Sequence, residues 1–189
     1  MFDQQLRFTK DPFLDFVIKV MVSVGPMCLI GPYKLGVVDG IPITIQTILV
    51  LLPAMIFGWR VGISSVLLYL LLGGIGLPVF AQQSSGWDRF IGSTGGFLFA
   101  FAIASLVVGY GAEKIKMATG IKSFLLFVFG HLVILVLGFT WKIGVSHSDD
   151  SLLDSLKASA SPSFIKVAIG TLFMIVLARL ISRMSNNNA

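Results

Sequence analysis

Charge is scarce in this chain. Only 12% of its 189 residues are Asp, Glu, Lys or Arg, against roughly 25% in a soluble domain, too little polar side chain to coat a water-exposed surface. Cysteine occurs once, at Cys28, which excludes an internal disulfide and a thiolate metal cluster. The two histidines, His131 and His147, stand apart and outside any His-Glu-x-x-His context. No Gly-x-x-x-x-Gly-Lys-[Ser/Thr] phosphate loop is present, so the chain has no ATP motor of that type. Ser85-Gly86 and Ser93-Thr94-Gly95 do not supply a Gly-x-Ser-x-Gly nucleophile elbow. The alternating code of a membrane β-barrel is also missing.

Apolar residues are abundant instead: 56% of the chain, with a mean hydropathy of +0.92. Four stretches carry no charge at all: Gly40–Trp59 (20 residues), Val61–Trp87 (27), Phe90–Ala112 (23) and Ser123–Trp141 (19). A helix needs roughly 20 apolar residues to cross the hydrocarbon core, and a helix satisfies its own backbone polar groups, as lipid demands. Two further stretches read as spans. One runs from Phe16 to Ile30 and carries only Lys19; the other runs from Ser163 to Ser182 and carries Lys166 and Arg179 near its ends, where long basic side chains reach the interface. The expectation is an all-α, integral membrane bundle of six helices in one domain. Its spans fall at about 16–30, 43–57, 61–77, 92–110, 123–143 and 163–182, followed by a disordered polar tail over 185–189. No signal-peptide pattern precedes the first span, which is expected to direct insertion itself. Pro26 and Pro53 predict kinks, and Trp59, Trp87 and Trp141 read as interfacial anchors at span ends.

The basic residues assign a direction. With both termini in the cytoplasm, nine Lys and Arg lie inside and five outside, as the positive-inside bias requires. The acids leave a net +5 inside and zero outside. The pI of about 9.6 therefore reports topology. Nucleic-acid binding does not fit basic residues dispersed over span ends. In this orientation the inner turns are short, such as Gly58-Trp59-Arg60. The outer loops are long, including 78–96 and 146–163 with Asp149, Asp150 and Asp154. Long loops on one side of a bundle point to a pocket opening outward. Apart from His131, no ionisable residue sits near mid-span, which argues against a self-sufficient ion-coupled transporter.

Several motifs occur in order. Asp39-Gly40-Ile41-Pro42-Ile43-Thr44-Ile45-Gln46-Thr47 leads to Phe57-Gly58-Trp59-Arg60-Val61-Gly62. Tyr69 to Ala81 then reads Tyr-Leu-Leu-Leu-Gly-Gly-Ile-Gly-Leu-Pro-Val-Phe-Ala, and Gly92-Ser93-Thr94-Gly95-Gly96-Phe97 opens the fourth span. This series resembles the BioY family, the biotin-specific substrate-binding (S) components of energy-coupling factor (ECF) transporters, most closely from Gly40 to Glu113. The resemblance implies a bacterial cytoplasmic-membrane protein that is no enzyme and needs no cofactor. It implies biotin as transported ligand, captured at the outer face, and a partner module of one transmembrane coupling subunit and two ATPases.

It also implies site residues. Ser84 matches the ligand-contacting polar position after Leu-Pro-Val-Phe-Ala. Ser161-Pro162-Ser163-Phe164-Ile165-Lys166 corresponds to the family's Pro-Gly-Asp-x-x-Lys, with Lys166 retained as partner for the biotin carboxylate and Ser163 in place of Asp. Phe97 is the aromatic of the Gly-Gly element, Arg89 a second possible cation, and Gln46 and Ser163 neutral replacements for the missing carboxylate. The family's Gly-Gly pair in the second outer loop reads Gln82-Gln83, and its occasional Arg after the aromatic reads Leu98. In the first span, Ser23, Gly25 and Cys28 replace the Ala-x-x-x-Ala pattern with which such S components often dock the coupling subunit; a loose small-residue face remains, and no docking residue carries over. Gly58 and Gly62 are read as a chain reversal before a dimer motif. Alternatives are an S component for another small vitamin or cofactor, and a membrane enzyme using His131 with a nearby hydroxyl.

Overall fold

The computed structural model describes residues 6–38, 41–115, 120–146 and 151–187. Asp39, Gly40, Lys116, His147, Asp149 and Asp150 lie outside them. Helix α1 (Pro12–Leu29) starts where Asp11 caps the backbone N–H of Phe13 and Leu14. A hairpin of β1 (Lys34–Val38) and β2 (Ile41–Thr44) joins it to α2 (Gln46–Phe57), and α3 (Trp59–Gly74) follows directly. After a 3-10 turn (Ala81–Gln83) and the short α4 (Asp88–Ile91) come α5 (Gly95–Ile115), α6 (Gly120–Ser146), α7 (Leu152–Ala158) and α8 (Ala160–Asn187).

Four of these, α1, α5, α6 and α8, are long and apolar enough to cross a membrane. The apolar helices α2 and α3 have 12 and 16 residues, roughly 18 and 24 Å at 1.5 Å per residue. The span expected from residue 43 begins three residues later as helix, because Ile41–Thr44 pair with β1. This hairpin is the local departure from an all-helical chain among the described residues. Pro26 and Pro53 sit inside uninterrupted helices. Helix α8 continues to Asn187, through most of the stretch expected to be a disordered tail.

The core lies where α2, α3, α5 and α6 meet, around Leu51, Met55, Tyr69, Phe101 and Phe127. Small residues permit the close approaches. A Cβ on Gly62 would lie 2.6 Å from the Ala54 Cα and 2.8 Å from the Ser105 Oγ. The Gly58/Gly62 pair thus serves the fold itself: Gly58 turns the chain at φ 94° and Gly62 seats α3 on α2 and α5.

Lys19 departs from the expected snorkelling. It is only 2% exposed and its Nζ lies 2.6 Å from Asp15, one turn earlier. Asp15 also accepts from the Phe8 N–H at 2.7 Å, so the pair stitches the leading segment to α1. Ser23 and Cys28 likewise turn inward, whereas Gly25 is open. These three residues therefore do not form one outward small-residue face. The exposed side of α1 is large and apolar, with Phe13, Leu14, Met21, Val22 and Leu29.

Candidate functional site

The segment after α3 folds back on the bundle through aromatic rings. Tyr69 meets Phe80 edge-on at 5.6 Å, Phe80 meets Phe90 at 5.7 Å, and Phe90 meets Trp87 at 5.2 Å and Phe99 at 5.8 Å. Phe99 continues the series to Trp141, whose indole N–H donates to the Gly92 carbonyl at 3.0 Å. The glycines of the two Gly-Gly motifs make room for this series. A Cβ on Gly73 would overlap the Phe80 ring, and one on Gly96 would overlap the Trp141 side chain. Backbone bonds complete the fold-back, with the Gly86 N–H donating to the Gly73 carbonyl and the Gln82 N–H to the Pro32 carbonyl. Trp87 and Trp141 thus brace this segment as well as standing near helix ends. Gln82 and Gln83, which replace the family's glycine pair, both take left-handed backbone, φ 61° and 57°.

Beneath this segment lies a cavity of about 570 Å³, within the range of small-molecule pockets. It brings together all six residues singled out by sequence: Gln46, Ser84, Arg89, Phe97, Ser163 and Lys166. Ser163 and Lys166 share one face of α8 at helical spacing. Phe80, Phe97, Phe101, Phe139, Leu98 and Ile134 supply apolar wall. Sequence reasoning missed Thr47, Lys142 and the threonines and serines of the rim, Thr44, Ser93, Thr94 and Ser159. The polar Gln46-Thr47 pair inside a charge-free run was a signal for Thr47. Lys142 followed Trp141 at a span end and was counted only for topology.

Hydrogen bonds give these groups a direction. Ser84 Oγ donates to the Ala81 carbonyl at 2.9 Å and Thr94 Oγ1 to the Arg89 carbonyl at 3.2 Å, so each hydroxyl oxygen is left as an acceptor. Ser84 accordingly both closes its own turn and lines the cavity. Three cations, Arg89, Lys142 and Lys166, line the cavity, and among the described residues no carboxylate does. Lys166 is half-buried and has no acid partner among them. His131 is not in the wall. It contacts the Phe127 carbonyl through Nδ1 at 3.0 Å and Thr47 Oγ1 through Nε2 at 3.1 Å, so it reaches the cavity through Thr47 alone.

A second cavity, of about 530 Å³, lies at the other end of the bundle. The start of α1, the α2–α3 turn and the end of α5 form it, with Arg7, Arg60, Glu113 and the Asp15–Lys19 pair. The Glu113 carboxylate accepts the Trp59 backbone N–H at 3.3 Å. No residue singled out for ligand binding lies there.

The profile of the BioY family matches residues 9–187. The chain belongs to the BioY family. A relative named "Biotin transporter BioY2", from Lactococcus lactis subsp. cremoris, is 38% identical over 167 residues, covering 86% of this chain and 90% of the relative. A "Probable biotin transporter BioY" from Pyrococcus horikoshii is 33% identical over 123 residues, 65% of this chain and 63% of that one. The fold of this BioY chain is similar to the crystal structure of an S-component for biotin from an ECF-type ABC transporter. The TM-score is 0.73 over 95% of each chain, at 20% identity. The family and its relatives make this a membrane transport protein, and the cavity is built by the segments that carry the BioY motifs.

Proposed function

We propose that this BioY chain captures biotin in the cavity under the 78–97 segment. Biotin would be taken from the outer face of a bacterial cytoplasmic membrane and delivered inward with an ECF coupling subunit and two ATPases. Six helices cross in this reading, α1, α2, α3, α5, α6 and α8, with both termini inside. The alternation of helix ends supports it: the start of α1, the α2–α3 turn and the end of α5 share one cavity, and the start of α2, the start of α5 and the start of α8 share the other. The hairpin and the folded-back segment make up the length that α2 and α3 lack. The positive-inside bias then turns the biotin cavity outward.

One observation carries the ligand class: three cations and no described carboxylate line an otherwise largely apolar cavity. Cations partly removed from water are costly unless an anion accompanies them. Biotin offers one carboxylate, an apolar thioether ring and acyl chain for the phenylalanine wall, and a polar ureido ring for the remaining polar groups. Lys166 takes the carboxylate, and Arg89 and Lys142 assist from the rim. The chain does no covalent chemistry on its ligand in this reading, in keeping with the transport family to which it belongs.

The test compares biotin with its uncharged primary amide. Lys166→Ala is expected to weaken biotin about 10- to 100-fold, the range for loss of a charge-assisted hydrogen bond. The amide should lose much less. Equal losses for the two ligands would remove Lys166 from the carboxylate role.

A further inference from the structure

Two hydrogen-bond relays end at the cavity, on the consecutive residues Gln46 and Thr47 of the first turn of α2, both of which line it. Each relay begins at a backbone carbonyl, which can only accept, and that fixes every proton along it.

In the first relay, Tyr69 is fully buried and its hydroxyl donates to the Val79 carbonyl at 2.9 Å. A phenol has one proton, so toward Gln46 the Tyr69 oxygen can only accept. The Gln46 Nε2 faces it at 2.5 Å as donor. The amide is thereby locked with its NH2 toward the protein. The Gln46 Oε1, which has no partner among the described residues, remains for the cavity.

In the second relay, the Phe127 carbonyl lies 3.0 Å from His131 Nδ1, so Nδ1 carries the proton. His131 is 3% exposed, and its ring nitrogens meet no carboxylate among the described residues. A second proton would make it a buried, uncompensated cation. Its Nε2 is therefore a lone pair, and Thr47, at 3.1 Å, must donate to it. A threonine hydroxyl also has one proton, so the Thr47 Oγ1 turns only lone pairs to the cavity.

We propose that Gln46 and Thr47 form an acceptor-only pair that selects a ligand carrying two neighbouring N–H donors. Tyr69 and His131 are positioning residues that lock this polarity. The inference rests on the biotin reading of the cavity and assigns to this pair the two ureido N–H groups. It also accounts for the missing carboxylate at Ser163: two neutral acceptors of fixed direction stand in for one charged acceptor. A hydroxyl free to rotate accepts or donates with equal ease. One whose proton is committed rejects an acceptor by lone-pair repulsion, and selectivity of this kind exceeds what the attraction alone provides.

The experiment is equilibrium binding by the purified full chain of biotin and of the two cyclic carbamates in which one or other ureido N–H is replaced by oxygen. The wild-type chain is expected to bind biotin at least about tenfold tighter than either carbamate. Thr47→Val should weaken biotin by about tenfold and abolish most of the discrimination against one carbamate, while Thr47→Ser preserves it. His131→Phe, which frees the Thr47 proton, should lower the same discrimination with a smaller loss for biotin itself. Thr47→Ala supplies the same readout should the valine variant not fold. A Thr47 variant without the hydroxyl that keeps the wild-type ratios against both carbamates overturns the inference while leaving biotin binding intact. A wild-type chain that binds no biotin overturns the biotin reading and the inference with it.

Discussion

Tyr69→Phe removes one oxygen from the centre of the fold and leaves the rest of the ring in place. The ring lies edge-on to Phe80 at 5.6 Å, and phenylalanine preserves that contact. The loss falls on the bridge from Gln46 to Val79, whose bonds measure 2.5 and 2.9 Å. Both partners are buried, Val79 at 4% and Gln46 at 5% exposure. A buried polar group stripped of its partner costs about 1–3 kcal/mol. The Val79 carbonyl is enclosed and bears most of this, whereas the Gln46 amide can turn toward the cavity and regain water. The expected total is therefore about 1–3 kcal/mol. For a chain of this size 1 kcal/mol moves the melting temperature by about 2–4 °C, so thermal unfolding in detergent should shift down by about 2–12 °C. Biotin affinity should fall severalfold as well, because the freed amide no longer offers Oε1 alone. A variant with unchanged melting and unchanged biotin affinity would refute the bridge, and with it the anchoring of the 78–97 segment through Tyr69.

The left-handed Gln82 and Gln83 each carry a Cβ penalty of about 1 kcal/mol that glycine avoids, partly offset by glycine's greater chain entropy. Gln82→Gly with Gln83→Gly should therefore raise the melting temperature slightly, and a drop would contradict the backbone geometry. A Cβ on Gly138 would overlap the Phe97 ring, so Gly138→Ala should destabilise by about 1–3 kcal/mol. It should also weaken ligand binding by displacing a cavity wall, read by titration beside thermal unfolding. Asp15→Ala and Lys19→Met should each lower stability more than the double variant does, because removing one partner strands the other charge. Additive losses would show that the pair at 2.6 Å is not coupled.

Much of the helical layout was legible because lipid imposes a simple rule, long runs without charge, and the 19- to 27-residue runs obey it. The errors came where tertiary structure intervened. Residues 41–44 are as apolar as the helix that follows, and only their pairing with β1 separates them from it. Lys19 looked like an interfacial cation because Asp15 had been assigned to the polar leader. Once the helix starts at Pro12, the two stand at i and i+4 and pair. Ser84, Phe97, Ser163 and Lys166 followed from family motifs, Gln46 and Arg89 were added as substitutes where the motifs depart, and the cavity collects all six. Lys142 was not found, since nothing local tells which side of α6 faces the cavity, and Thr47 was passed over although it stands beside Gln46 in a charge-free run. The Thr47–His131 contact, between residues 84 apart, exists only after α6 has packed against α2.

The most direct test of the account is equilibrium binding of biotin by the purified chain in the absence of any ATPase or coupling subunit, run beside lipoate and thiamine precursors. The account predicts saturable, tight, one-to-one binding of biotin, with a marked rise in melting temperature that the other compounds do not produce. A chain stabilised by one of those compounds and indifferent to biotin would contradict it.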